Sequence, residues 1–256
     1  MIFKTMFYIF LVTAIFSCSS NKNTRVVSDS SGVDHTQWTE LLEKYVDENG
    51  LTDYAGLQQD KEALLNYTTH LSQNPPAESW NKDDQLAYWI NAYNAFTVLL
   101  IVENYPIESI KDLNPSFSIP TIRSVWTKDW FKIGEEDFSL DRIEHKILRK
   151  AFDEPRIHFA INCASISCPI LRSEAYYGHE IDKQLNEQAR LFINDPSRNI
   201  LQKDEVKLSL VFNWFGGDFK KGQSLIQFIN RYADIEIDNN AKISFVKYDW
   251  NLNDKK

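Results

Sequence analysis

The stretch from Arg156 to Pro169, RIHFAINCASISCP, brings an imidazole, an amide and two thiols into fourteen positions. A thiol is a nucleophile only as its thiolate, which needs a base or a cation close by to be populated at neutral pH. The same residue can instead be half of a disulfide or a small buried apolar side chain. Four residues separate Cys163 from Cys168, enough to close a short disulfide loop. The third cysteine, Cys18, lies near the N-terminus. Nucleophile, disulfide partner and inert thiol all remain open for Cys163.

The elements that must position these groups come next. Residues 156–163 read as a strand, with His158, Ala160 and Asn162 on one face and Ile157, Phe159, Ile161 and Cys163 on the other. Cys163 then ends an apolar face where the chain enters the small residues Ala164 to Ser167, a common setting for a reactive group. Alternation turns His158 away from Cys163, which makes it a poor base for that thiol and a candidate for substrate binding instead. A helix is predicted over 140–151, with Ser139 as its N-cap. Its apolar stripe is Leu140, Ile143, Ile147, Leu148 and Ala151, and Glu144 falls inside that stripe. A carboxylate so placed must be paired or carry a raised pKa. His145 sits just outside the stripe, one turn from both Asp141 and Arg149. The candidate catalytic set is therefore Cys163 as nucleophile, His145 as base and Glu144 as the carboxylate that orients it.

The segment 83–104 is the most apolar of the domain, with Asp83 and Asp84 at its start and Pro106 just past its end. It is predicted to be a buried central helix. Asn91, Asn94 and Thr97 interrupt it along one side, and their polar groups must either bond a neighbouring loop or line a site. Asn91 and Asn94 are taken as candidate substrate-binding residues. Helical spacing also marks Trp38 to Val46, Leu64 to Leu71 and 181–193, with a short helix over 224–232. A hairpin is predicted around Gly134, an aromatic turn over 212–219, and short strands over 199–210 and 243–248. The fold class that follows is α+β: a helix-rich single domain with a buried central helix and a small, mostly antiparallel sheet.

The chain opens like an export signal. Lys4 precedes the apolar run Thr5 to Phe16, which leads into Ser17-Cys18. The order matches a lipoprotein signal, so residues 1–17 are expected to be removed and Cys18 to carry lipid. Residues 18–33, rich in Ser and Asn, read as a tether, and 34–256 as one globular domain. Ser19, rather than Asp, follows the lipidated position, which favours the outer over the inner membrane. The expected setting is thus the cell envelope, with the membrane as a partner through Cys18. With 36 acidic against 28 basic side chains, a net charge of −8 and a pI near 5.2, the chain is a poor partner for nucleic acid. The five histidines show no paired ligand spacing, and there is no Gly-rich phosphate loop, so no metal or cofactor is expected.

Five blocks carry a resemblance to a known family. They are Tyr88 to Ala95 (YWINAYNA), Leu140 to Arg149 (LDRIEHKILR), Arg156 to Cys163 with Ser167-Cys168-Pro169, Trp214 to Phe219 (WFGGDF), and Tyr248 to Asn253 (YDWNLN). In these, in order, the chain resembles the domain of unknown function 547 family. The resemblance implies no activity, and it implies an exported or lipid-anchored bacterial protein. Sequence alone favours a binding or structural envelope module with a buried polar cluster, acting on an unidentified partner or small ligand. The alternative is a thiol-dependent hydrolase or transferase built on Cys163.

Overall fold

The computed structural model describes residues 32–117, 119 and 122–256. The signal segment, Cys18 and nearly all of the tether lie outside the described residues. Helix α1, Thr36–Tyr45, buries Trp38, Leu41, Leu42 and Tyr45, the i, i+3, i+4, i+7 face of an amphipathic helix. Helix α2, Tyr54–Gln59, starts where the Asp53 carboxylate accepts the Gly56 N–H at 2.7 Å. Helix α3, Lys61–Gln73, buries Leu64, Tyr67, Thr68 and Leu71, leaving Leu65 at the surface. Helices α2 and α3 pack on α4, Lys82–Asn104, with α1 against both of them, and the α4 N-cap Asn81 accepts the Asp84 N–H at 2.7 Å. By length and composition α4 could cross a membrane, but its apolar window is 83% buried within the domain. It is the buried central helix that its sequence predicts.

Strands β1, Phe131–Ile133, and β2, Glu136–Phe138, form the expected antiparallel hairpin, with Gly134 supplying a φ of 59° at the turn. The next helix differs from its prediction. Ser139 Oγ does accept the Arg142 N–H at 3.1 Å, but after an α-helical start at Leu140 and Asp141 the segment Arg142–Leu148 is π-helical, and Arg149–Ala151, α5, closes as α-helix. The wider turn is seen in the bond from the Arg149 N–H to the Glu144 carbonyl. It suits a sequence in which Ile143 and Leu148, five apart, are buried while Ala151 is exposed.

The predicted strand over 156–163 is a larger correction. Pro155–Phe159 is a 3-10 helix: Pro155 occupies its first turn, where a missing N–H costs nothing, and the Glu154 carboxylate accepts the Arg156 N–H at 3.0 Å. Ile157, His158 and Phe159 are all buried, so the apolar run reflects burial on every side rather than one face of a sheet. The alternation that separated His158 from Cys163 does not exist in the folded chain.

Helix α6, Ile181–Asn194, follows as predicted. Strands β3, Ile200–Leu201, and β4, Glu205–Leu208, pair antiparallel. The aromatic segment expected to be a turn forms two helical turns, α7, Val211–Trp214, and α8, Gly216–Phe219. Helix α9, Leu225–Ile229, opens with a Ser224–Gln227 capping box. Strand β5, Lys242–Phe245, then joins β4 in parallel, completing a sheet of order β3-β4-β5. The α+β class stands, with two small sheets in place of one.

Two apolar clusters fill the interior. One surrounds α4 and takes in Ile157, Ala160 and Ile161. The other gathers Phe159, Phe192, Phe212, Phe219 and Phe228 between α6 and the C-terminal elements. The 3-10 helix thus feeds side chains into both, and the residues just after it emerge at the seam.

Candidate functional site

Buried amides tie down the loop that carries Cys163. Asn94 on α4 donates to the Ala160 carbonyl at 2.9 Å and accepts the Asn162 N–H at 2.8 Å. Asn162 in turn accepts the Ala164 N–H and donates to the Pro169 carbonyl, both at 2.7 Å. Asn91 makes the same two-way bond to the backbone of Tyr176. Both asparagines expected to bind substrate therefore spend their amides on backbone, and neither lines the cavity described below. The backbone just after Cys163 is unusual, since Ala164 has a φ of 58°. A left-handed alanine costs about 1–2 kcal/mol, and such a residue persists only where surrounding bonds hold it. The Asn162 clamp is one such bond.

Cys163 is half-buried, on the wall of a cavity of about 180 Å³. Three groups surround its sulfur: the Cys168 thiol at 2.9 Å, the Ser165 hydroxyl at 3.3 Å and the Tyr248 hydroxyl at 3.4 Å. Tyr248 also lies 3.0 Å from Ser165 Oγ, so the two hydroxyls form a chain leading to the thiol. Donation from the Cys168 thiol, helped by the hydroxyls and opposed by burial, brings the Cys163 pKa down to about 7. Burial pushes Cys168 in the opposite direction, as does its hydrogen bond to Cys163. Both cysteines are free.

Glu144 lines the same cavity, on the π-helical turn. Burial, and then the nearby charge of Cys163, raise its carboxyl to about 8. At neutral pH Cys163 is therefore divided between thiol and thiolate, beside a Glu144 that is mostly protonated. His158 is the third member. Its Nε2 lies 2.8 Å from Asp218 Oδ2, and its Nδ1, buried and without a hydrogen-bond partner, lies 3.9 Å from Glu144 Oε1. The bond to Asp218 places the ring proton on Nε2 and leaves Nδ1 as a bare acceptor facing the Glu144 carboxyl. Burial lowers the His158 pKa, so the ring is neutral. Hydrogen bonds from His158 and Arg149 hold Asp218 well below the usual carboxylate range. The His158 ring is stacked on Phe215 at 3.9 Å, which fixes its plane.

His145, expected to be the base, lines the cavity but is engaged elsewhere. Its Nδ1 accepts from Arg149 at 2.9 Å and its Nε2 faces Asp141 at 3.6 Å. Burial lowers its pKa as well. The structure thus brings Cys163, Glu144, His145 and His158 to one cavity and leaves Asn91 and Asn94 behind it. Sequence reasoning did not identify Tyr248, Ser165, Asp218 or Arg149 as site residues. Asp218 and Tyr248 do fall within the WFGGDF and YDWNLN blocks, which was the available signal. Trp126, Trp214 and Trp250 complete an aromatic rim with Tyr248. Among the described residues no group of three or more His, Cys, Asp or Glu is arranged to hold a metal ion.

Residues 77–193 match the model of a family described as "Protein of unknown function, DUF547". That span holds the central helix, the π-helical turn and the Cys163 loop, and with them three of the five blocks in which the sequence resembles the domain of unknown function 547 family. It ends before Asp218 and Tyr248. No curated protein matches the chain, and no solved structure does.

Proposed function

We propose that this domain, matched over its central span to a family without assigned chemistry, is a thiol-dependent acyl hydrolase or transferase with Cys163 as its nucleophile. The observation that carries the reading is the sulfur of Cys163, within hydrogen-bond reach of one thiol and two hydroxyls on the wall of a cavity that also holds a carboxyl group raised to about 8. A merely structural thiol needs neither. Sequence alone leaned toward a binding module; the surroundings of the thiol favour the enzymatic alternative.

The thiolate attacks a carbonyl carbon, forming the C–S bond. As the tetrahedral adduct collapses, Glu144 gives its proton to the departing oxygen or nitrogen. A thioester on Cys163 and a Glu144 carboxylate remain. The carboxylate then takes a proton from the attacking water, hydroxyl or amine, which releases the acyl group and restores the thiolate. Neutral His158, held on Asp218 through Nε2, keeps Nδ1 turned toward Glu144 at 3.9 Å, and its lowered pKa leaves the transferable proton on the carboxyl.

The test is acylation by small activated esters and thioesters, read by intact mass and peptide mapping. An acyl adduct on Cys163, absent in Cys163→Ser and slowed in Glu144→Gln, is the expected result. No adduct, together with a thiol no more reactive toward iodoacetamide than free cysteine, would sink the assignment.

We further propose that the enzyme is an envelope lipoprotein anchored through Cys18, on the strength of Lys4, the apolar run Thr5 to Phe16 and Ser17-Cys18. Fatty-acid labelling of the full chain in a bacterial host should tag the wild type and spare Cys18→Ser. Equal labelling of both, or of neither, would overturn the anchor.

A further inference from the structure

We propose that Cys168 is a resolving thiol and that Cys163 and Cys168 form a reversible dithiol–disulfide couple, oxidised by small disulfides such as glutathione disulfide. The inference concerns the thiol on which the proposed activity rests, and it would regulate that activity by removing its nucleophile.

Geometry carries it. The two sulfurs lie 2.9 Å apart, in contact yet well beyond the roughly 2.05 Å of a bond. The Cys163 N–H points at Cys168 Sγ at 3.0 Å, so the second sulfur is held against the first residue's backbone. The segment between them is fastened at several points. Asn162 bonds the Ala164 N–H and the Pro169 carbonyl, and the Cys168 N–H closes a turn onto the Ser165 carbonyl at 3.0 Å. Arg198 holds the Cys168 carbonyl at 2.8 Å and the Ile166 carbonyl at 2.9 Å. The thiols therefore stay together rather than meeting by chance.

Access differs between them. Cys163 is half-buried at the cavity, whereas Cys168 is only 5% exposed. An oxidant in solution meets Cys163 first. Its thiolate attacks one sulfur of the small disulfide; a new S–S bond forms and one thiolate leaves with the electron pair of the broken bond. Capping removes the negative charge that Cys168 had been bonding. Cys168 then loses its proton to the departed thiolate or to water and attacks Cys163 Sγ, expelling the second small thiolate. In sum, two cysteine thiols are oxidised to one disulfide and one small disulfide is reduced to two thiols.

The experiment treats the reduced full chain, carrying Cys18→Ser so that Cys163 and Cys168 are its two thiols, with glutathione disulfide, quenches with acid and reads intact mass and mapped peptides. The wild type should pass through a glutathione adduct on Cys163 and end two hydrogens lighter, reversibly on adding dithiothreitol. Cys168→Ser and Cys168→Ala should stop at the adduct, with a lifetime at least about tenfold longer. Two variants of opposite polarity guard against one that fails to fold. Cys163→Ser should leave Cys168 unmodified. A wild-type adduct as durable as that of the variants, or oxidation of Cys168 in Cys163→Ser, would overturn the couple. The readout is independent of acylation: disulfide formation without an acyl adduct would defeat the proposed activity and leave the couple standing, and the reverse outcome would do the opposite.

Discussion

Cys163 owes its character to a thiol and two linked hydroxyls within hydrogen-bond reach of its sulfur. Alkylation by iodoacetamide should rise with pH around a midpoint near 7 instead of 9, the ordinary thiol value for this group. Tyr248→Phe removes one of the two hydroxyls at the sulfur and should move that midpoint up by about one pH unit, equivalent to roughly 1.4 kcal/mol. An unchanged midpoint would mean that the hydroxyl does not act on the thiol. Glu144 behaves in the opposite sense. Its folded pKa, about 8, lies above the ordinary 4.5, so the folded state holds a proton that the unfolded state gives up. The associated stability is complete below about 4.5 and is lost as pH rises through about 8. Glu144→Gln should therefore unfold at higher urea than the wild type above about pH 8, with the gap, on the order of a few kcal/mol, closing toward pH 5. A gap independent of pH would contradict a buried protonated acid. Residue types alone marked Cys163, Glu144 and His145 as chemical. Which of them pairs with which was not written there, because His145 and Glu144 are adjacent in sequence yet only one has its acceptor free.

At the scale of elements, the placement of the thiol is the work of two asparagines and an irregular backbone. Asn94→Ala leaves the Ala160 carbonyl and the Asn162 N–H unpaired in the interior and should cost about 2–4 kcal/mol in chemical denaturation. It should also blunt alkylation of Cys163, since the loop would lose its clamp. Full stability with reduced reactivity would instead return Asn94 to substrate binding. The amphipathic spacing of α1 and α6, the Gly134 hairpin and the unbroken apolar run of α4 were legible because each is a local pattern. The π-helical turn and the 3-10 helix were not. Both answer to what packs on them: Phe159 enters one cluster and Ile157 the other, and no strand could serve both.

For the whole molecule, Phe159 is the wholly buried side chain by which the 3-10 helix enters the second cluster. Its ring lies 5.1 Å from Phe192 and 5.5 Å from Phe219, centroid to centroid. Phe159→Ala should cost about 3–5 kcal/mol, and Phe159→Leu clearly less, by thermal or urea unfolding. Because His158 is its neighbour, the larger truncation should also slow Cys163 alkylation. A destabilised but fully reactive Phe159→Ala would separate the core from the site. The longer amphipathic and apolar helices, the α+β class and the acidic balance were determined by the sequence itself, through periodicity, capping and composition acting over a few residues. Tertiary structure alone decided that Asp218 orients His158 across 60 residues and that Tyr248 reaches Cys163 across 85. The reason is physical: hydrogen-bond and side-chain preferences of a helix or hairpin are satisfied within a short window, whereas a pairing between distant residues depends on how every buried surface packs at once.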